Sequence, residues 1–129
     1  MTSLLNKSTR RADVTFFQSG RIDITARVVK LLDLQPGDVI DIAVSGGEYL
    51  LYVRTKAAQV IGNHSGQVRT TKKYSCSRYS LNFRAYNKQL CHNLREVCPG
   101  TGYPLHLPCG NPRQQDGRIV LPLITLNPL

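Results

Sequence analysis

A chain of 129 residues with 41% hydrophobic content can bury one compact core, or two small intertwined ones. No run approaches the roughly 18 apolar residues of a membrane-spanning helix, and residues 1–11 are polar and basic, unlike a secretory leader. A net charge of +9 argues for an anionic partner, and four unevenly spaced cysteines argue for a reducing, cytoplasmic setting. The first predicted element is Val14-Thr15-Phe16-Phe17-Gln18, β-branched and aromatic, running into a tight turn at Ser19-Gly20. Arg21-Ile22-Asp23-Ile24-Thr25 alternates polar and apolar, the period of a half-buried strand. From Thr25 the period changes. Val28, Leu31 and Leu32 recur at helical spacing, Thr25 suits an N-cap, and Pro36-Gly37 is expected to stop the helix. Val39, Ile40 and Ile42 restart a strand, Ser45-Gly46-Gly47 turns it, and Tyr49-Leu50-Leu51-Tyr52-Val53 returns as its hairpin partner.

This order of strand, turn, strand, short helix, Pro-Gly-Asp turn and hairpin resembles the AbrB/MazE/SpoVT-type swapped-hairpin (looped-hinge helix) family. The matching residues are Gly20-Arg21-Ile22, the helix from Ala26 to Leu34, and Pro36-Gly37-Asp38. The family's proline at the helix start is replaced by Thr25-Ala26. The resemblance covers about forty residues and implies a small swapped-hairpin β-barrel, in a family whose members mostly bind DNA as transcription regulators or antitoxins. The alternative for this half is an unrelated β-meander with one helix, because hairpins and Pro-Gly-Asp turns are common in β-rich domains.

The second half reads as a worn copy of the first. Gln67 to Ser75 is predicted as a strand and Tyr79-Ser80-Leu81-Asn82-Phe83-Arg84 as the next. Leu90, Leu94 and Val97 fall at helical spacing with Tyr86, and Pro99-Gly100 is the counterpart of Pro36-Gly37. Tyr103-Pro104-Leu105-His106-Leu107 is the following strand, and Ile119-Val120-Leu121-Pro122-Leu123-Ile124 is the last, beyond a long turn rich in Pro, Gly and Gln. Gly117-Arg118-Ile119 looks like an opening strand of the family, but too few residues follow it for a helix and hairpin. The expected organisation is a basic arm at 1–12, a first repeat at 13–58, a connector at 59–66 and a diverged repeat at 67–129. The expected fold is mainly β, a swapped-hairpin or double-psi-like barrel with two short helices and a pseudo-twofold tandem repeat. Two tandem units can close in one chain what the family closes with two. The rival is a homodimer through the first half, carrying an unrelated β-rich tail.

The charge is uneven. Residues 1–64 hold eight Lys and Arg against six acids, a net +2, while residues 65–129 hold nine against two, a net +7. Arg69, Lys72, Lys73, Arg78, Arg84, Lys88 and Arg95 form a stretch without an acid, interleaved with Tyr74, Tyr79, Phe83 and Tyr86. Such a surface attracts phosphate through its field and through counterion release, and aromatic faces can stack on bases. The tyrosines equally fit strands with one core face and one wet face, whereas an ordinary wet face mixes both signs of charge.

Cys76, Cys91, Cys98 and Cys109, with His92 and His106, lack the close pairing of a zinc knuckle, so free buried thiols are expected. No phosphate loop, nucleophile elbow or His-Glu-x-x-His helix is present, so no catalytic residue, metal or cofactor is assigned. The expected function is non-enzymatic nucleic-acid binding, with duplex DNA as the partner and a monomeric pseudo-dimer or a homodimer as the binding form. A protein-interaction or assembly module is the alternative. The resemblance places DNA contacts on the first hairpin and the helix start, hence Arg21 and Arg27, with Arg10 and Arg11 from the arm and Asp13 and Asp23 opposing them. Lys72, Lys73, Arg78 and Arg84 occupy the equivalent region of the second copy with no acidic neighbour.

Overall fold

The computed structural model describes residues 12–57, 75–98 and 102–125. The protein is mainly β, with two short helices and two antiparallel sheets. In chain order the elements are β1 (Val14–Phe16), β2 (Arg21–Ile24), α1 (Ala26–Leu32), β3 (Val39–Ser45) and β4 (Glu48–Thr55). Then follow β5 (Ser77–Tyr79), β6 (Asn82–Tyr86), α2 (Lys88–Val97), β7 (Leu105–Leu107), β8 (Arg113–Gln115) and β9 (Arg118–Leu123). One sheet runs β5-β6-β2-β1-β7 and the other β3-β4-β9-β8. Among the described residues the strand pairing does not close into a ring.

Alternation decides which side of each strand is wet. Ile22 and Ile24 of β2, Phe83 and Ala85 of β6, Val14 and Phe16 of β1 and Leu105 and Leu107 of β7 are all buried. They meet Val28 and Leu32 of α1, Cys91 and Leu94 of α2, and Leu51 and Leu121 of the second sheet in one core. Both halves of the chain therefore contribute to one hydrophobic cluster.

The turns follow their residues in most places. The β3–β4 turn uses Gly46 at φ 57° and Gly47 at φ 79°, and the β8–β9 turn uses Asp116 at φ 52° and Gly117 at φ 74°, conformations that favour Gly, Asn and Asp. Gly20 has φ 97°, and a Cβ there would lie 2.8 Å from the backbone of Lys88 at the start of α2. Asn87 N–H donates to the Gly20 carbonyl at 2.8 Å, so glycine is what lets helix and hairpin touch.

Pro36-Gly37-Asp38 does more than turn the chain. Asp38 is fully buried, and its carboxylate accepts from Gln35 N–H at 2.8 Å, Ala57 N–H at 2.7 Å and Lys56 Nζ at 3.3 Å. Its carbonyl accepts from Cys76 N–H at 2.7 Å, while Gly37 N–H donates to the Cys76 carbonyl at 2.8 Å. The turn thus clasps the end of β4 and the approach to β5. Losing the carboxylate leaves two part-buried N–H groups without their acceptor, at a cost of about 0.5–1.5 kcal/mol each.

Local expectations failed in four places. Helix α1 stops at Asp33, which takes the left-handed conformation at φ 51°, before Pro36 is reached. Thr25 occupies the N-cap position of α1 without a side-chain cap bond, and its hydroxyl is buried with no hydrogen-bond partner. Asn82 of the second half accepts from Ala26 N–H at 3.0 Å instead. Tyr79 to Arg84 is not one strand: Ser80, at φ 61°, turns the chain between β5 and β6. The Pro-, Gly- and Gln-rich stretch before β9 contains a strand, β8, paired Arg113↔Val120 through Gln115↔Arg118. Residues 67–74 and Pro99-Gly100 lie outside the described residues.

Candidate nucleic-acid interface

Hairpins β1–β2 and β5–β6 lie side by side, joined through their second strands in the register Arg21↔Tyr86, Ile22↔Ala85, Asp23↔Arg84 and Ile24↔Phe83. The inward residues are apolar, so the outward ones make a continuous polar face. One row crosses all five strands: Ser77, Arg84, Asp23, Thr15 and His106. Two pairs of neighbours in it touch through their side chains. Arg84 Nε donates to Asp23 Oδ1 at 3.0 Å, and Thr15 Oγ1 lies 3.3 Å from His106 Nδ1.

Arginines dominate the rest of this face, and aromatic rings carry them. Arg21 lies over Phe17 at 3.9 Å and Arg84 over Tyr79 at 4.1 Å, while Arg78, paired with the core residue Phe83, reaches past the rim on the opposite side, 5.9 Å from that ring. The stacking holds each guanidinium plane while leaving its edge N–H groups available to an acceptor. Hydrogen bonding to Asp23 pushes the Arg84 pKa above its already high ordinary value, so that cation keeps its charge at any accessible pH. Tyr79, Leu81 and Tyr86 are exposed around it.

Carboxylates answer some of this charge. Asp23 Oδ1 receives Arg84 and also sits 3.3 Å from Arg21 Nε, a charge contact without hydrogen-bond geometry, so that buried nitrogen has no formed bond. Arg27 Nη1 meets Asp13 Oδ1 at 3.0 Å, and Asp13 also accepts from Cys109 N–H at 2.7 Å. Arg27 is therefore tied to the start of β1. Arg78 differs: it is exposed on β5 and has no carboxylate partner among the described residues.

The structure thus brings Arg21 and Arg84 to one face, places Arg78 on the opposite face of the rim strand, and holds Arg27 apart in an ion pair. Arg10, Arg11, Lys72 and Lys73 lie outside the described residues. Tyr79 and Phe83 were singled out from the sequence as rings interleaved with the basic residues, but the support from Phe17 and the row through Thr15 and His106 were not. Alternation marks the members of the row as outward, but only knowledge of which strands pair makes them neighbours.

The four cysteines are free and buried. Burial, helped by the charge of Asp38, pushes the Cys76 thiol up to about 12, and burial with Asp13 pushes Cys109 to about 12. Cys91 rises to about 11 for the same first reason. Such thiols stay protonated at neutral pH, the form that is the weaker nucleophile. Among the described residues no three His, Cys, Asp or Glu side chains cluster to hold an ion, and no helix is long and apolar enough to cross a membrane. Compared with known proteins, the chain matches no family model, no curated protein and no solved structure.

Proposed function

We propose that this chain is a non-enzymatic nucleic-acid-binding protein that docks on duplex DNA, in the manner of a transcription regulator or an antitoxin. The observation that carries the reading is the acid-free basic stretch from Arg69 to Arg95, in which Arg84 on the outward face and Arg78 on the other side of the rim strand both sit against aromatic rings. A phosphate backbone needs fixed, exposed guanidinium edges, and stacking supplies them at low entropic cost. Lys72 and Lys73 extend the same stretch, and Arg21 adds a stacked cation from the first hairpin.

The same reading takes the fold as two tandem swapped-hairpin units of the AbrB/MazE/SpoVT kind, forming one barrel. The register supports it. Matching Ile22 and Ile24 to Phe83 and Ala85 makes Asp23 the counterpart of Arg84, and these two residues face each other. A twofold relating the units would pass between them. In a homodimer of the first unit, Asp23 would face Asp23. In the tandem chain it faces an arginine at 3.0 Å, so the sequence favours pairing its two halves over pairing two copies of the first.

Two observations favour the assembly reading instead. Arg21, Arg27 and Arg84 each face a carboxylate, and an apolar groove of about 260 Å³ lies between Ile42, Val44 and Tyr49 on one side and Leu90, Leu94 and Val97 of α2 on the other.

Salt-dependent binding to duplex DNA, single-stranded DNA and RNA separates the two. The DNA reading expects measurable affinity near physiological salt. Replacing Lys72, Lys73, Arg78 and Arg84 together with alanine should then weaken it and flatten the dependence by about 0.9 per lost phosphate contact. No affinity for any nucleic acid under those conditions leaves the assembly reading.

A further inference from the structure

The molecule carries a second cationic feature, on the other sheet and made of residues that the proposed DNA surface does not use. Strands β4 and β9 pair from Tyr49↔Leu123 to Leu51↔Leu121 and then part. Beyond that point β4 pairs only with β3, through Asp41↔Tyr52, Ile40↔Val53 and Val39↔Thr55. The start of β9 pairs only with β8. The fork between them is a cleft of about 390 Å³, closed at its end by Leu32 and Asp33 of the α1 terminus. A cleft of that size fits a small ligand.

Two arginines flank it. Arg54 comes from the free end of β4 and Arg118 from the first position of β9. Both are exposed, and neither has a carboxylate partner among the described residues. Arg118 is held over the Tyr52 ring at 5.3 Å, which fixes its plane. Lys56 also lines the cleft but is engaged with Asp38 and with the Asp33 carbonyl, at 3.3 and 2.7 Å. Asp33 is the opposing charge, and its carboxylate takes a bond from Gln35 Nε2 at 3.4 Å. Val53, Leu32 and Ile119 give the floor an apolar character.

Two unpaired guanidiniums over an apolar floor match a ligand with an anionic head and an apolar or flat body. We infer that the β4–β9 fork is a binding site for a phosphate ester, with Arg54 and Arg118 gripping the phosphate and the floor taking the attached group. Bidentate guanidinium pairing suits a phosphate oxygen pair better than a single carbonyl. The site is independent of the DNA reading, because none of the proposed DNA-contacting residues lines it.

Titration calorimetry and amide-shift mapping on the full chain test this, with inorganic phosphate, adenosine 5′-monophosphate, adenosine and a short DNA duplex as probes. The monophosphate should bind saturably and shift the amides of Leu32, Val53 and Ile119, while adenosine should bind far more weakly. Arg54→Gln with Arg118→Gln should weaken monophosphate binding by about tenfold or more, and Arg54→Lys with Arg118→Lys by less. Lys30→Gln, one positive charge removed at an exposed position outside the cleft, should leave it unaltered. Both arginines are exposed, so an unchanged thermal midpoint is expected and checks that the variants fold. If the monophosphate fails but duplex affinity falls in the Gln pair, the phosphate comes from a nucleic-acid backbone and the site stands. If neither probe responds to the pair, or adenosine binds as well as its monophosphate, the inference is overturned.

Discussion

Two hairpins of the same kind sit in one sheet, and they have opposite surroundings. Hairpin β1–β2 lies inside the sheet, flanked by β7 and β6, and its turn is pressed against α2 at Gly20. Its acids, Asp13 and Asp23, engage Arg27, Arg21 and Arg84. Hairpin β5–β6 ends the sheet, every residue of β5 is exposed, and Leu81 at its turn is 80% exposed. It contains no acid. The comparison separates two uses of one motif. Where a hairpin is enclosed, its charges are spent on holding neighbours. At the rim, Arg84 is likewise engaged by Asp23, but Arg78 remains available to a ligand.

The largest expected effect tests the enclosure. Gly20→Val forces a β-branched residue to φ 97° and drives its Cβ into the Lys88 backbone. Strain and overpacking together should cost about 3 kcal/mol or more of unfolding free energy, read by urea denaturation. The matching change at the rim, Leu81→Lys, should stay within about 0.5 kcal/mol. Equal effects at the two turns would remove the distinction between an enclosed and an open hairpin.

Both hairpins share one feature at their feet, a buried thiol beside a carboxylate: Cys76 near Asp38 and Cys109 near Asp13. Their folded pKa values of about 12 stand above the ordinary 9.0, so the native state keeps protons that the unfolded chain releases. Stability from this source is complete below the unfolded value and declines as pH rises from there toward the folded value. Each thiol should contribute a slope of about 1.4 kcal/mol per pH unit in that window. Chemical denaturation of wild type, Cys76→Ala and Cys109→Ala across that range reads the slope, which should be shallower in each variant.

How much of this was readable beforehand differs between the two hairpins for a physical reason. Turn chemistry and alternation are local, so β1, β2, α1, β3 and β4 follow from residues such as Gly20, Pro36-Gly37 and Gly46-Gly47. Across the β5–β6 turn Ser80 carries a positive φ without the glycine that would announce it, and alternation continued through a real break. Strand β8 hid because Arg113-Gln114-Gln115 has no apolar pattern; its pairing with β9 defines it. The cap of α1 was assigned to the adjacent Thr25 and is supplied by Asn82, 56 positions away. At the candidate site, Asp13 and Asp23 were recognisable as opponents of the basic residues. Which arginine each one holds depends on strand pairing, which no local pattern encodes.

The contact between the hairpins gives a sharper test of the tandem proposal. Asp23→Arg places two cations opposite each other where an ion pair stood, and it should lower the denaturation midpoint. Adding Arg84→Asp restores opposite charges with exchanged positions and should recover much of the loss, because the two residues face each other directly. An additive double variant would mean that the pair contributes nothing to how the halves choose each other.

The smallest effect compares two arginines that differ only in their surroundings. Arg27 is about half exposed yet bonded to Asp13 at 3.0 Å, while Arg78 is exposed with only the Phe83 ring beneath it. If the rim is the part of the sheet that meets DNA, Arg78→Gln should reduce the slope of log affinity against log salt by about 0.9, the release of one counterion. Arg27→Gln should change that slope far less, since a cation already neutralised by a carboxylate displaces no counterion when a phosphate arrives. Its effect should fall on stability instead, because Asp13 would keep only its bond from Cys109 N–H. Sequence preference should survive both changes, as phosphate contacts position a protein without reading bases. The reverse pattern, with Arg27 carrying the salt dependence and Arg78 silent, would move the binding surface to the enclosed hairpin and the start of α1.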